Sequence, residues 1–143
     1  MPTSDEKWTW QCDRVIPSDA AVGRRLLGDV LRQLKNLHWS RRDVFGVHLA
    51  VDEALVNAVQ HGNAADKNKQ VQFSCRISPQ KIRVEIVDEG PGFDPAKLPD
   101  PTTPARLGCP GGRGVMLMRA FMSRVEFNAR GNTVIMEKER ERQ

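Results

Sequence analysis

Two short segments near the middle of the chain alternate apolar and polar residues, and they restrict the kind of sheet that this chain can form. VQFSCRI and IRVEIV each place their apolar residues on one side: Val71, Phe73, Cys75 and Ile77, then Ile82, Val84 and Ile86. Such alternation is typical of strands with one buried face. The intervening S-P-Q-K predicts a tight turn. The sequence therefore predicts a hairpin whose apolar face needs a second layer.

Two amphipathic helices precede this hairpin and supply that layer. Apolar residues at helical spacing predict a first helix over about residues 19–37, with Ser18 as its N-cap. The same spacing predicts a second helix over residues 41–60, with Ser40 as its N-cap. Gly62 is expected to end that helix in the left-handed conformation.

The remaining segments complete a fold of two layers. KWTWQCDRVI predicts an edge strand, VMLMRAFM a short helix, and VEFNA with TVIMEKE a last hairpin. Residues 89–112 hold six of the nine prolines and five of the eleven glycines, so they predict one long loop. We expect a single domain over residues 1–143: an α/β two-layer sandwich with helices on one face of a mixed, mostly antiparallel sheet.

A net charge of +4 raises the question of nucleic-acid binding. The basic excess lies within residues 14–42, and the chain has no zinc-finger, basic-zipper or RNA-recognition signature and no tyrosine. Basic residues on a helix usually form its solvated face. We therefore expect no direct nucleic-acid partner and favour an acidic protein partner for this region.

Three cysteines, Cys12, Cys75 and Cys109, are far apart in the sequence and lack C-x-x-C spacing. They indicate neither a disulfide framework nor a zinc site, and buried or idle thiols are the better interpretation. The chain has no apolar signal core and no apolar run of the ~20 residues that span a bilayer. The prediction is a cytoplasmic protein without membrane attachment.

Three clusters carry candidate chemistry, and the first is Glu53, Asn57 and His61 on the second helix. Their four-residue spacing places them along one helical face. An Asn oxygen suits Mg²⁺ when phosphates and water supply the other ligands, and a nearby Glu can orient a hydroxyl or accept its proton. The alternative is an ordinary solvated helix face.

The second and third clusters are turns rich in glycine. In IVDEGPGF, Asp88 ends a strand, while Gly90 and Gly92 permit close approach of a flat ligand such as adenine. In GGRGVMLM, glycines before a helix expose N–H groups that can bind phosphates. Each turn has a structural explanation as well: an ordinary strand-ending turn, and an Arg113 that faces water.

Together the three clusters resemble the motifs of the GHKL ATPase/kinase superfamily. The N box is E-A-x-x-N-A-x-x-H-G-N at residues 53–63, the G1 box is D-E-G-P-G-F at 88–93, and the G2 box includes G-R-G at 112–114. The chain is most similar to the bacterial anti-sigma factor serine/threonine kinases. Because no dimerisation helix with a phosphoacceptor histidine precedes the domain in this sequence, we do not expect a full sensor histidine kinase.

The resemblance implies a role for each matching position. Asn57 would bind Mg²⁺, Glu53 would be the catalytic base or orienting group, and Asp88 would meet the adenine amino group. Residues 89–112 would form the ATP lid, within which Arg106 is a candidate for the terminal phosphate. The other implied ATP-binding positions are His61, at the edge of the site, Gly90, Gly92, Gly112, Arg113, Gly114 and Thr133.

The function that the resemblance implies is an ATP-dependent protein serine kinase and anti-sigma factor. Its expected partners are an anti-anti-sigma protein that carries the substrate serine, a sigma factor, and a second copy in a homodimer. The proline-rich lid departs from the family pattern, so a nucleotide-gated partner-binding module without phosphoryl transfer is the first alternative. A basic nucleic-acid-binding domain is the distant one.

Overall fold

The computed structural model describes residues 7–64, 66–90 and 112–141. Its elements follow the predicted order: β1 (Trp10–Pro17), α1 (Ala20–Asn36), α2 (Arg41–Val56), a π-helical turn (Asn57–Gly62), β2 (Gln70–Ile77), β3 (Lys81–Val87), α3 (Gly112–Phe121), β4 (Arg124–Phe127) and β5 (Thr133–Glu139). None of the helices in these ranges is both long and apolar enough to cross a membrane.

The five strands form one open sheet in the order β1-β2-β3-β5-β4, with β1 at an edge as predicted. Every neighbouring pair is antiparallel, so the described sheet is fully antiparallel where a mixed one was expected. The reason is that the second strand of the last hairpin, β5, pairs with β3. The first strand, β4, runs in the same direction as β3 and would have made a parallel pair with it, but it lies at the outer edge.

One face of the sheet carries the core. The predicted inward residues of β2 and β3 are all buried, and they join α1, α2 and α3 in one apolar cluster. The other face is polar: Glu137 lies 3.7 Å from Arg83 and 3.2 Å from Arg124. This division confirms the two-layer prediction, with the helices on one face.

A buried ion pair fixes the direction in which α2 crosses the sheet. Asp43, in the first turn of α2, accepts a hydrogen bond from the Glu141 N–H (3.0 Å) and lies 3.6 Å from Lys138 Nζ. Both partners follow or end β5, so α2 starts at that end of the sheet. Its 16 residues extend about 24 Å and carry its last turns to the opposite end.

Two of the predicted helix ends differ from the structure. The N-cap of α1 is Asp19, whose carboxylate accepts the Ala21 N–H at 2.8 Å, whereas the Ser18 hydroxyl is buried without a hydrogen-bond partner among the described residues. Ser40 caps α2 as predicted. Gly62 is not left-handed, because the helix widens into the π-helical turn and the positive φ moves to Ala64.

The two candidate caps of α1 give a direct test of this correction. Asp19→Ala removes the cap and should lower the free energy of unfolding by about 1 kcal/mol in urea titrations. Ser18→Ala is the matched control: it removes a buried hydroxyl that has no hydrogen-bond partner in the described part of the chain, so stability should stay within about 0.5 kcal/mol or rise. A larger loss from Ser18→Ala than from Asp19→Ala would contradict the assignment.

Candidate functional site

The first turn of α3 lies directly against the polar face of α2. A Cβ on Gly114 would stand 3.0 Å from Glu53 Oε2 and 3.1 Å from Asn57 Nδ2. A Cβ on Gly46, near the start of α2, would stand 3.3 Å from the side chain of Phe121 at the end of α3. The two helices are therefore antiparallel, and a glycine permits close contact at each end of their crossing.

This contact joins two of the clusters that the sequence singled out. Glu53 and Asn57 are half-buried and one helical turn apart, and both lie next to Gly114 of α3. Gly112 is the first residue of α3, so G-R-G forms the first helical turn, whereas the sequence placed these glycines before the helix. The first-turn N–H groups of a helix have no intrahelical partners, so they remain available to a ligand.

The second helix changes its winding at Asn57. The Asn63 N–H donates to the carbonyl of Ala58, five residues back, at 2.9 Å, which is the π-helical pattern. His61 lies in this wider turn. The four-residue spacing therefore aligns Glu53 with Asn57 on one helical face, but it does not align His61 with them. Its side chain falls outside the described part of the structure.

Asp88 leaves β3 at the same end of the sheet. Its Oδ1 accepts the Gly90 N–H at 2.8 Å, and its own N–H donates to the carbonyl of Asn132 at 3.0 Å. Partial burial raises the pKa of the Asp88 carboxyl, and the Gly90 hydrogen bond, Arg130 and Lys69 offset only part of that rise. This carboxylate has no ion pair within 4 Å among the described residues, and a half-buried carboxylate is a ready acceptor for a ligand N–H.

Gly90 and Gly62 approach each other too closely for side chains. A Cβ on Gly90 would stand 1.8 Å from the Gly62 carbonyl oxygen, and a Cβ on Gly62 would stand 2.3 Å from Asp88 Cγ. Any side chain at either position would bring its Cβ within 3.0 Å of these atoms, and the backbone or the carboxylate would have to move. The last turn of the second helix thus presses on the strand exit that carries Asp88.

Asn63 holds this contact together, although the sequence offered no role for it beyond a matching letter. Its buried amide donates to the Gln70 carbonyl (2.9 Å) and accepts the Glu89 N–H (2.7 Å). The Glu89 carboxylate accepts the Gln70 N–H and closes the ring. One amide therefore links the helix end, the start of β2 and the exit of β3, which no local sequence pattern reveals.

Thr133 reaches the site through strand pairing. It begins β5 directly opposite Val87, the residue before Asp88. Asn128 prepares this position, since its Oδ1 accepts the N–H groups of Gly131, Asn132 and Thr133 at 2.8–3.2 Å. The final hairpin turn thereby supports both Thr133 and the backbone of Asp88.

Some predicted site residues lie outside the described ranges. They include Gly92, Arg106 and most of the expected lid over residues 89–112, of which only Glu89, Gly90 and Gly112 are described. Arg113 lies in the first turn of α3, but its side chain is not among those described. The expectations for these residues stay predictions.

Among the described residues, no three His, Cys, Asp or Glu side chains gather as a ready-made metal site. Asn57 offers a single amide oxygen, so its donor set suits a hard ion such as Mg²⁺ that takes its other ligands from phosphates and water. The first turn of α3 lies beside it, and Asp88 lies against Gly62 at the end of the same helix. The residues present fit a magnesium-bound nucleotide.

Asn63 provides a stability test of this architecture. Asn63→Ala leaves the Glu89 N–H and the Gln70 carbonyl without their part-buried hydrogen bonds, so the free energy of unfolding should fall by about 1–2 kcal/mol. Asn68→Ala, at an exposed asparagine nearby, is the control and should change it by less than about 0.5 kcal/mol. Equal effects in urea unfolding would show that Asn63 does not link the three segments.

Several bacterial regulators are similar to this chain. It is 36% identical over 103 residues to the serine-protein kinase RsbW of Bacillus subtilis, covering 67% of this chain and 64% of that protein. It is 32% identical over 94 residues to the serine/threonine-protein kinase BtrW of Bordetella bronchiseptica, covering 64% and 66%. These matches span about two thirds of the relatives' own length.

The fold is also found in a solved structure. A crystal structure of the RsbU and RsbW domains of a Mycobacterium tuberculosis protein superposes with a TM-score of 0.57 at 17% identity, over 93% of this chain and 32% of that one. The resemblance that the three motifs predict is therefore confirmed. Residues 16–138, most of the chain, match the family described as the histidine kinase-like ATPase domain, and the chain belongs to this family.

Proposed function

We propose that this protein is an ATP-dependent serine kinase that acts as an anti-sigma factor and phosphorylates a serine of an anti-anti-sigma partner. The observation that carries the proposal is the contact of Gly114 with both Glu53 and Asn57. The proximity of a candidate catalytic base, a candidate magnesium ligand and a helix N-terminus supports the proposal. The serine kinases RsbW and BtrW among the relatives support the same reaction.

The proposed site has an adenine end and a phosphate end. Asp88 and Thr133 lie where β3 ends and β5 begins. The carboxylate of Asp88 accepts a hydrogen bond from the adenine amino group. Asn57 and the first turn of α3, with Gly112, Arg113 and Gly114, hold the phosphates and Mg²⁺. His61 and the lid residues Gly92 and Arg106 complete the proposed ATP-binding set.

The chain's own contribution to transfer is positioning and charge. When bound, Mg²⁺ would neutralise phosphate charge, which together with positioning is the main requirement of phosphoryl transfer. Glu53 orients the hydroxyl of the incoming serine and accepts its proton. The N–H groups of α3 add partial positive charge next to the phosphates. Half-burial of Glu53 against Gly114 limits the conformations of its side chain and keeps the carboxylate directed at the site.

The proposed partners follow from the same function. An anti-anti-sigma protein supplies the substrate serine, and a sigma factor is the protein held and released; an anti-sigma F factor of Clostridium perfringens, 29% identical over 99 residues, is among the relatives. The acidic partner favoured by the sequence would meet the exposed basic residues of α1, such as Arg24, Arg25 and Lys35. A homodimer in the cytoplasm is part of the proposal.

Two variants separate nucleotide binding from transfer. Asn57→Ala should lower Mg²⁺-dependent ATP affinity roughly 10–100-fold in calorimetric titration, because a contact to a charged group is lost. Glu53→Gln should retain ATP affinity within about twofold yet lower transfer of labelled γ-phosphate to an anti-anti-sigma protein by about 10²–10⁴-fold.

Asp52→Asn is the matched control for both variants, since it removes a carboxylate next to Glu53 in sequence but outside the contact with Gly114. It should leave both measurements near the wild-type values. Full transfer by Glu53→Gln would overturn the assigned base. Tight Mg²⁺-dependent ATP binding by the wild type, with no transfer to any anti-anti-sigma partner, would instead select the partner-binding module without phosphoryl transfer.

The raised pKa of Asp88 predicts a pH-dependent effect on stability. Because the carboxyl binds its proton more readily in the folded state, stability falls as pH rises from the unfolded pKa through the folded one, and the full cost remains at pH 7. Asp88→Asn should therefore unfold at an equal or higher urea concentration at pH 7, and this gain should shrink as pH drops through the folded pKa.

The same variant should bind ATP more weakly, because the carboxylate that accepts the adenine amino group is lost. For the stability measurement, Asp13→Asn is a control with the opposite expected effect. Hydrogen bonds from Ser74 and Arg76 lower the pKa of Asp13, so the loss of this carboxylate should lower stability at pH 7. A stability loss at pH 7 in Asp88→Asn, with unchanged ATP affinity, would show that this carboxylate serves the fold and not the ligand.

A further inference from the structure

Two cysteines that are far apart in the sequence lie opposite each other in the sheet. Cys12 on β1 is the register partner of Cys75 on β2. Directly opposed residues of an antiparallel pair extend from the same face of the sheet. Cys75 is fully buried, Cys12 is half-buried against the same core, and both thiols are free.

The ladder sets the distance between them. The Ser18 N–H donates to the Lys69 carbonyl at 3.1 Å, and the Ser78 N–H to the Lys81 carbonyl at 2.9 Å. Every second opposed pair of an antiparallel ladder is hydrogen-bonded, and Cys12–Cys75 is an even number of positions from Ser18–Lys69. The Ser78–Lys81 bond agrees, because it directs the even-numbered residues of β2 to β3 and leaves Cys75 to bond β1. Cys12 and Cys75 are therefore a hydrogen-bonded pair, with Cα atoms about 5.5 Å apart. A disulfide needs about 4.4–6.8 Å between Cα atoms, so the backbone already meets this requirement.

The side-chain geometry makes such a bond reversible. Opposed Cβ atoms are about 4.5–5.5 Å apart, whereas disulfides prefer about 3.5–4.5 Å. Bond formation therefore draws the two strands slightly together and stores strain. Strained disulfides are the ones that cellular thiols reduce easily.

We propose that Cys12 and Cys75 are a reversible cross-strand disulfide site whose co-reactant is a low-molecular-weight disulfide such as oxidised glutathione. The Cys12 thiolate, the more accessible one, attacks a glutathione sulfur and releases one glutathione thiol. The Cys75 thiolate then attacks the Cys12 sulfur and releases the second. Two protein thiols lose their protons and two electrons, and one oxidised glutathione becomes two thiols.

Burial sets the rate at which the site reacts. Desolvation raises the pKa of the Cys12 thiol and raises that of Cys75 well above its usual value. The thiolate is the reactive form, so closure is slow at neutral pH and accelerates as pH increases. The site thus responds to sustained oxidation and not to brief exposure.

The cysteine pair is separate from the proposed nucleotide site. Cys75 lies roughly 16 Å along β2 from Gln70, which borders the Asn63 contact. Oxidation should leave ATP affinity within about twofold of the reduced protein, so this proposal and the kinase proposal fail independently. The bond would instead attach the edge strand β1 covalently to its neighbour β2.

The test uses the full chain with Cys109→Ser, so that only this pair reacts. After incubation with oxidised glutathione at pH 7 and at raised pH, we expect a mass loss of about 2 Da, a peptide in which Cys12 and Cys75 are joined, and reversal by excess reduced glutathione. In the same background, Cys75→Ala should stop at a glutathione adduct on Cys12, with a gain of about 305 Da. Cys12→Ser should leave Cys75 unmodified.

Circular dichroism verifies that each variant is folded before it reacts. Three results would overturn the proposal: a lasting glutathione adduct on Cys12 with Cys75 free, a disulfide between two chains, or unreacted thiols at both pH values in a chain that reacts once unfolded. A joined peptide that excess reduced glutathione fails to cleave would contradict the strained, reversible bond.

Discussion

The site depends on one close backbone contact, between the end of the second helix and the exit of β3. The Gly62 carbonyl leaves no space for a Cβ on Gly90, and the Asp88 carboxylate leaves none for a Cβ on Gly62. The Asn63 amide fixes this contact by hydrogen bonds to both neighbouring segments. The turn that begins at Asn57 and the strand exit that carries Asp88 are therefore joined directly, and the proposed nucleotide site lies across this junction.

The arrangement favours function over stability at several positions. Asp88 is half-buried and, in the part of the chain that the structure describes, forms no ion pair; burial raises the pKa of its carboxyl. The helix widens into a π-helical turn at Asn57, a distortion that is frequent at functional sites. Stability comes from elsewhere, mainly from the buried apolar faces of β2 and β3, while the Asp43–Lys138 pair relates the start of α2 to the end of β5.

Antiparallel pairing brings together what the chain separates. Thr133 and Asp88 belong to different motifs, yet the β3–β5 register places Thr133 opposite Val87, and Asn128 orders the turn between β4 and β5. At the β1 edge of the same sheet, the β1–β2 register places Cys12 opposite Cys75. A proposed nucleotide site and a proposed redox site are thus both consequences of strand register, at positions far enough apart to operate separately.

The sequence by itself determined the elements, their order and the two-layer architecture, because alternation and helical spacing record which side chains leave water. It also identified Glu53, Asn57 and Asp88 as candidates, since each belongs to a local motif. Only the tertiary structure decided the fully antiparallel sheet, the π-helical turn that replaces a left-handed Gly62, the cap at Asp19 and the role of Asn63. These features depend on contacts between segments distant in sequence, and local periodicity carries no information about such contacts.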